Sequence, residues 1–555
     1  MNEYLSRSNQ CLTLSIIFAL AFAAQAADDV PRVGRFNVHE VTLQSRGDYA
    51  NPYTDVTAEA TLTDLASGTM RAVPLFWDGD KAWKFRFAPD RLGTWKWVVR
   101  SADAALNGQT GGFEAVASNR PGSIRPMSGF PLHFARQDGS RFWFLGDTAW
   151  AYYTDNADEK HDRDAAFRYI DVRAGQGFNV VHSMLLSEAG WGNRGGPPWD
   201  DIATERLNPG YWKEVDVRMA HANSRGVVCG LALAWGDKRK VEPFAWRKFP
   251  DPAARKRYAR YVAARYSAYD VYFIVSGEWH GEVRTRPSTD EVVRQEFIEI
   301  GEALHEADPH GRMVAIHPMT AQGSVREFNS ANWMTFGDYQ QNYRDLHGRV
   351  LESRKIGEPV VNSEYGYFLR DQSGDGVPDK DNSTSANAMR HATWDIVMAG
   401  GYVVTGFGTT YFGGNRDPGP FDLDAKKNDV WESQIGHVRR VFLPLEWWKL
   451  EPNDNLLTCD APREQEGREF NQTVPPAVAY WCLAEAGRQY VFYVRGVKSS
   501  VKLVLPPRAP SFSAMQFNPR TGERKDLGTV AGRERYEFQP PNDEDWVVLL
   551  TAAGP

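Results

Sequence analysis

The sequence predicts an α/β protein, a (β/α)8 TIM barrel flanked by N-terminal and C-terminal β-sandwich domains. Three observations carry that expectation. The chain has 555 residues, more than a single hydrophobic core serves, so several domains are required. Between about residues 125 and 445, short apolar runs alternate with helical patterns, while the flanking segments alternate apolar and polar residues between Asp, Gly and Pro turns. Finally, the apolar runs of Ile274–His280 and Pro359–Gly366 each stop at a carboxylate beside an aromatic. Strands buried on both faces end this way where a barrel displays its working residues.

Residues 1–27 read as an export signal. Arg7 lies in a short polar region, Leu12–Ala24 forms an apolar run, and Ala24-Gln25-Ala26 supplies a small-x-small cleavage pattern. The run is short for a membrane anchor, so the mature protein is expected to be secreted or periplasmic. Residues 28–120 read as the first sandwich, with strand-like segments Thr57–Thr63, Lys81–Phe87 and Gly93–Val99. Asn119–Ser123 looks like a linker.

The barrel, over 125–445, requires eight strands, placed at Phe142–Leu145, Asn179–Met184, Val227–Ala234, Val271–Val275, Met313–Ile316, Trp333–Phe336, Val360–Asn362 and Tyr402–Thr405. Helices are expected over Ala165–Ala174, Lys213–Ser224, Pro252–Tyr269, Glu291–Ala307, Tyr343–Arg354 and Ser385–Ala399. The fourth is the clearest, with Val293, Phe297, Ile300 and Leu304 on one face. Residues 450–555 return to β character, with strands at Arg488–Val494, Val501–Leu505 and Asp545–Leu550.

Composition narrows the function. A net charge of −7 argues against a nucleic-acid partner, and 19 Trp residues favour stacking on sugar rings. Of four Cys, Cys11 leaves with the signal and Cys229 lies in an apolar run. Cys459 and Cys482 flank neighbouring strands, where an oxidising compartment permits a bridge or leaves two thiols.

Side chains at the carboxyl ends of barrel strands converge on one mouth. Those positions supply Asp147 and Trp150, then His182 and Trp191, then Trp235, then Glu278, Trp279 and His280. His317 follows the fifth strand, Tyr339 and Gln340 the sixth, Glu364 and Tyr365 the seventh. This inventory suits a carbohydrate substrate, with Glu278 and Glu364 catalytic and the remainder binding sugar. Retaining glycosidases need one carboxylic acid to protonate the leaving oxygen and one carboxylate to attack the anomeric carbon. Trp279 beside Glu278 suits the acid, and Tyr365 beside Glu364 suits a nucleophile held by a phenol. A non-catalytic carbohydrate-binding protein is the alternative; it would keep the aromatics and lack a matched carboxylate pair. A metal cluster of Glu278, His280 and Glu282 lacks an evident further ligand.

The order of these residues resembles the retaining glycoside hydrolases of clan A, with acid/base after strand four and nucleophile after strand seven. More narrowly, Phe144–Trp150, Gly277-Glu278 and Asn362–Gly366 resemble the apiosidase-like family. Asn518–Glu523 and Asp545–Leu549 are similar to its C-terminal collagen-binding-type sandwich. The resemblance implies Glu278 as acid/base and Glu364 as nucleophile. Two positions depart from it: Gly277 stands where clan A usually has Asn, and Glu278 where apiosidase-like members typically carry Asp. The resemblance therefore speaks to mechanism more than to the sugar released.

Asp371–Asn382 resembles a calcium loop, with Asp371, Ser373 and Asp375 alternating, Gly376 at the turn, and Asp379 and Asp381 able to complete a shell. The plain alternative is an acidic surface loop. No cofactor is required by the chemistry, a structural Ca2+ at this loop aside.

Overall fold

The computed structural model describes residues 30–552 except 158–160, 188, 237–239, 241, 286–288, 320–326, 341–344, 369–383, 408–425, 465–474, 508–509 and 532–533. The leader and the acidic 371–382 loop lie outside the described residues. Among those described, no helix is long and apolar enough to cross a membrane.

Eight parallel strands form the central barrel: β1 (Leu145–Thr148), β2 (Val180–Met184), β3 (Val228–Ala232), β4 (Val271–Ile274), β5 (Val314–Ala315), β6 (Gly337–Tyr339), β7 (Val360–Asn362) and β8 (Tyr402–Phe407). They hydrogen-bond in the order β5-β4-β3-β2-β1-β8-β7-β6, which brings β5 and β6 together at the seam. Thr335 bridges that seam. Its N–H donates to the Val314 carbonyl at 3.0 Å. Its Oγ1 accepts the Val314 N–H at 2.9 Å, so a side chain does what a ladder rung does elsewhere.

Two strands differ from expectation. β1 begins where its predicted counterpart ends. Arg141–Phe142 instead pairs with Phe130–Arg136, which also pairs with Ile124–Met127, in a separate antiparallel sheet. Phe134 of that sheet packs on Phe144, Phe336 and Tyr402, with ring centroids 5.1, 6.1 and 5.0 Å away, and so plugs the lower end of the barrel. β6 likewise starts one residue after the predicted Trp333–Phe336, because Trp333 turns outward to pack on Phe328.

Outside the barrel lie α1 (Arg163–Gly175), α2 (Pro209–Ser224), α3 (Pro252–Tyr266), α4 (Asp290–Glu306), α5 (Leu346–Ser353), α6 (Ala386–Met398) and α7 (Lys426–Phe442). The last had no counterpart among the expected helices. Asp162, Asp251, Thr289 and Ser385 each accept a backbone N–H from the first turn of α1, α3, α4 and α6. Such caps are worth about 1 kcal/mol apiece and set where each helix starts.

The N-terminal domain pairs a five-stranded with a three-stranded sheet around Leu62, Phe85, Trp95 and Phe113. In the C-terminal domain a six-stranded sheet faces a three-stranded one around Phe492, Val501, Phe512 and Val548. Cys229, Cys459 and Cys482 are free thiols. Cys459 lies in the smaller C-terminal sheet, beside Ser499, and Cys482 in the larger, and the permitted bridge is not formed.

Buried charge fastens both sandwiches to the barrel. On the N-terminal side, Asp216 of α2 accepts from Arg86 at 2.6 Å and Arg265 at 2.7 Å, and Arg265 also meets Asp78 at 2.9 Å. On the C-terminal side, Asp395 of α6 pairs with Arg495 at 3.1 Å, Arg390 pairs with Asp545 at 2.8 Å, and Trp394 stacks on Tyr493 at 5.5 Å. Removing one partner of such a pair strands the other without water. Asp216→Ala is expected to cost about 3 kcal/mol in chemical denaturation, with sandwich and barrel still unfolding together.

Candidate active site

Glu278 and Glu364 follow β4 and β7, each less than a tenth exposed. Their backbones extend the parallel ladder beyond the strands proper: Gly277 N–H donates to Ala234 at 3.1 Å, and Ser363 N–H to Tyr339 at 3.0 Å. The two carboxylates meet different partners on one aromatic floor. Trp235 Nε1–H donates to Glu278 Oε2 at 3.3 Å. His317 Nε2 lies 3.1 Å from Glu364 Oε2. The rings of Trp235 and His317 are 5.7 Å apart, and Trp150 touches both, at 4.9 and 5.8 Å.

Trp235 lies flat against the backbone before Glu278. A Cβ at Gly277 would meet its ring at 2.0 Å, so glycine is what lets the indole reach the carboxylate. This accounts sterically for Gly277 where the clan A pattern has Asn. Glu278 itself sits at φ 42°, in the left-handed region that side-chain-bearing residues rarely occupy. Such a conformation costs on the order of 1–3 kcal/mol and concentrates at functional sites.

Behind Glu364, a buried chain crosses the seam of the barrel. His317 Nδ1 is 2.9 Å from Ser363 Oγ and 3.7 Å from Asp338 Oδ1, and Ser363 donates to Asp338. Burial opposes charge on His317, but the hydrogen bonds and charges of Asp338 and Glu364 outweigh it and raise its pKa to about 10. The site therefore holds an imidazolium at neutral pH, aimed at Glu364. Burial raises the Asp338 carboxyl. Ser363 was not anticipated as functional; its place beside Glu364, with Asp338 ending the adjacent strand, was the available signal.

Several predicted binding residues occupy other positions. Tyr365 turns outward, its hydroxyl 2.6 Å from Thr393 on α6, so His317 and not this phenol holds Glu364. Trp279 also points away from the floor and packs on Phe328 and Phe297, at 5.1 and 6.4 Å. The indole that meets Glu278 is thus Trp235, 43 residues earlier.

Asp147 is fully committed within the barrel wall, accepting from Tyr169, Arg173 and Thr405. His182 is buried against Tyr272 and Trp150, one layer below the mouth. Burial and the charge of His317 hold it well below the usual histidine pKa, as a neutral ring. His280 opens a short helix, lies tilted against Trp279 with ring centroids 3.7 Å apart, and is lowered to about 4 by burial. Tyr339 and Gln340 end β6 as buried side chains, and Trp191 is half-buried on the loop after β2. Among the described residues, no group of three or more His, Cys, Asp or Glu is arranged to hold a metal ion.

The raised pKa of His317 fixes the sign of a pH effect. Stability from the imidazolium is fully present below the ordinary value near 6.5 and is lost as pH rises through about 10. Thermal melting followed from pH 6 to 10 is expected to fall across that window, and His317→Gln is expected to flatten the alkaline decline. A decline of equal steepness in the variant would place the titration elsewhere.

Residues 132–449 match the family described as "Apiosidase-like, catalytic domain". Residues 32–102 match a "Domain of unknown function", and 481–551 a "Putative collagen-binding domain of a collagenase". No curated protein matches the chain. Among solved structures, a "putative glycoside hydrolase" from Bacteroides vulgatus ATCC 8482 is similar at 16% identity and a TM-score of 0.73, over 94% of this chain and 100% of that one. A family 5 glycoside hydrolase from the same organism is similar at 15% identity and a TM-score of 0.60, over 78% of this chain and 93% of that one. These likenesses carry the three-domain fold. The family match spans more than half of the sequence, and with it the chain belongs to the apiosidase-like family and is a glycoside hydrolase.

Proposed function

We propose that the protein cleaves a glycosidic bond with retention, by double displacement, with Glu364 as nucleophile and Glu278 as acid/base. The observation that carries this reading is the unequal environment of two carboxylates on one floor. Glu364 faces the buried imidazolium of His317 at 3.1 Å, a partner that orients one carboxylate oxygen and leaves the other for attack. Glu278 accepts the Trp235 indole N–H at 3.3 Å within an aromatic wall, and so meets a different kind of donor.

In the first step Glu364 attacks the anomeric carbon while Glu278 gives its proton to the departing oxygen. In the second, Glu278 takes a proton from water, which attacks the same carbon and releases Glu364. His317, held by Ser363 and Asp338, keeps the Glu364 carboxylate oriented through both steps. Trp150 and Trp235 form the packed aromatic floor beneath the two acids. The substrate is a plant, algal or bacterial polysaccharide or an oligosaccharide derived from it, and the leader-like first residues support action outside the cytoplasm.

Glu364→Gln and Glu278→Gln, screened against pectic, hemicellulosic and algal glycans, are each expected to lose at least a thousandfold in kcat. Azide is expected to restore Glu278→Ala turnover on an activated aryl glycoside and not that of Glu364→Gln. NMR of the fresh product should show the substrate's own anomer; the opposite anomer would rule out double displacement.

A further inference from the structure

Two stretches that the catalytic reading leaves unused, Asn518–Glu523 and Asp545–Leu549, meet at one end of the C-terminal sandwich. There Arg520 lies over the Trp546 ring, 4.8 Å from its centroid. The six-stranded sheet extends beyond its three-stranded partner, so part of its inner face has no strand across it. Side chains alternate along a strand, and Phe512, Ala514, Val548 and Leu550 belong to the inner core. By the same alternation Gln516 and Trp546 continue that inner face, and Lys525 is the register partner of Gln516. Where the core would call for apolar groups, these three and Asn518 line a cavity of about 450 Å3.

The cavity is built rather than incidental. The Trp546 indole N–H is pinned by Asn542 at 2.9 Å. One ring face is backed by Arg520, which Glu544 holds at 2.6 Å. Arg520 does not line the cavity, so the cavity meets the rest of the indole. Gln516 is only 6% exposed, yet its side-chain amide has no hydrogen-bond partner among the described residues. Bordering the cavity, that amide is free to meet a polar guest.

We propose that this cavity is a second, non-catalytic glycan-binding site. The fixed indole stacks on the C–H face of one sugar ring, while the Gln516 amide and the Lys525 ammonium take its hydroxyls. A collagen triple helix, three chains wound into one rod, is a poor match for a cavity of about 450 Å3. The site lies on a different module from Glu278 and Glu364, so it stands or falls independently of the cleavage mechanism.

The test is native electrophoresis of the full chain, carrying Glu364→Gln to prevent cleavage, through gels containing arabinoxylan, galactomannan or polygalacturonate. Retardation is expected in at least one gel, and Trp546→Ala or Gln516→Ala is expected to weaken the derived affinity at least fivefold. Gln516→Ala breaks no hydrogen bond among the described residues and is expected to keep a single cooperative melt, which separates lost binding from lost folding. Mobility unchanged in all three gels, or equal affinity in both variants, overturns the proposal. So does retention by a triple-helical Gly-Pro-hydroxyproline peptide alone.

Discussion

The buried chain from Asp338 through Ser363 and His317 to Glu364 does two jobs at the weakest line of the barrel. The ladder is least complete between β5 and β6, where Thr335 substitutes for a strand rung. His317 follows β5, Asp338 lies in β6, and Ser363 and Glu364 follow β7. Their hydrogen bonds tie those three strands together just above the seam. A charge buried this deeply is tolerable only while its partners stay in place. Closing the barrel and orienting the Glu364 carboxylate are therefore one event.

Much of this was legible from sequence because a parallel barrel has a simple grammar. Runs buried on both faces must be continuously apolar, and their ends must converge, so Glu278 and Glu364 could be placed at one mouth without coordinates. What escaped was direction. Trp279 and Tyr365 look like obvious companions of the two acids, yet both turn toward the helices, because successive residues after a strand face opposite ways. The groups that do touch the acids, Trp235 and His317, come from strands 3 and 5, and only the fold makes them neighbours. Asp147 and His182 show the converse: strand residues that share the right face but lie a layer too deep. The β1 and β6 boundaries moved because hairpin and loop aromatics near them, Phe142 and Trp333, pack outside the barrel strands.

The flanking sandwiches are joined to the barrel by buried ion pairs as well as apolar contact. Asp216 and Asp395 each draw an arginine from a neighbouring domain into the barrel's helical layer. Ion pairs of this sort contribute little net stability against an apolar alternative, but they demand one geometry. They thus hold the sandwiches in register with the mouth, leaving the outer end of the C-terminal sheet open to other uses.

The left-handed backbone at Glu278 has an evolutionary corollary. Glycine would relieve the torsion there, so a lineage selected for endurance alone would drift toward losing this acid. The chain thus carries a carboxyl at this point against the backbone's own preference, with the local tension as its toll.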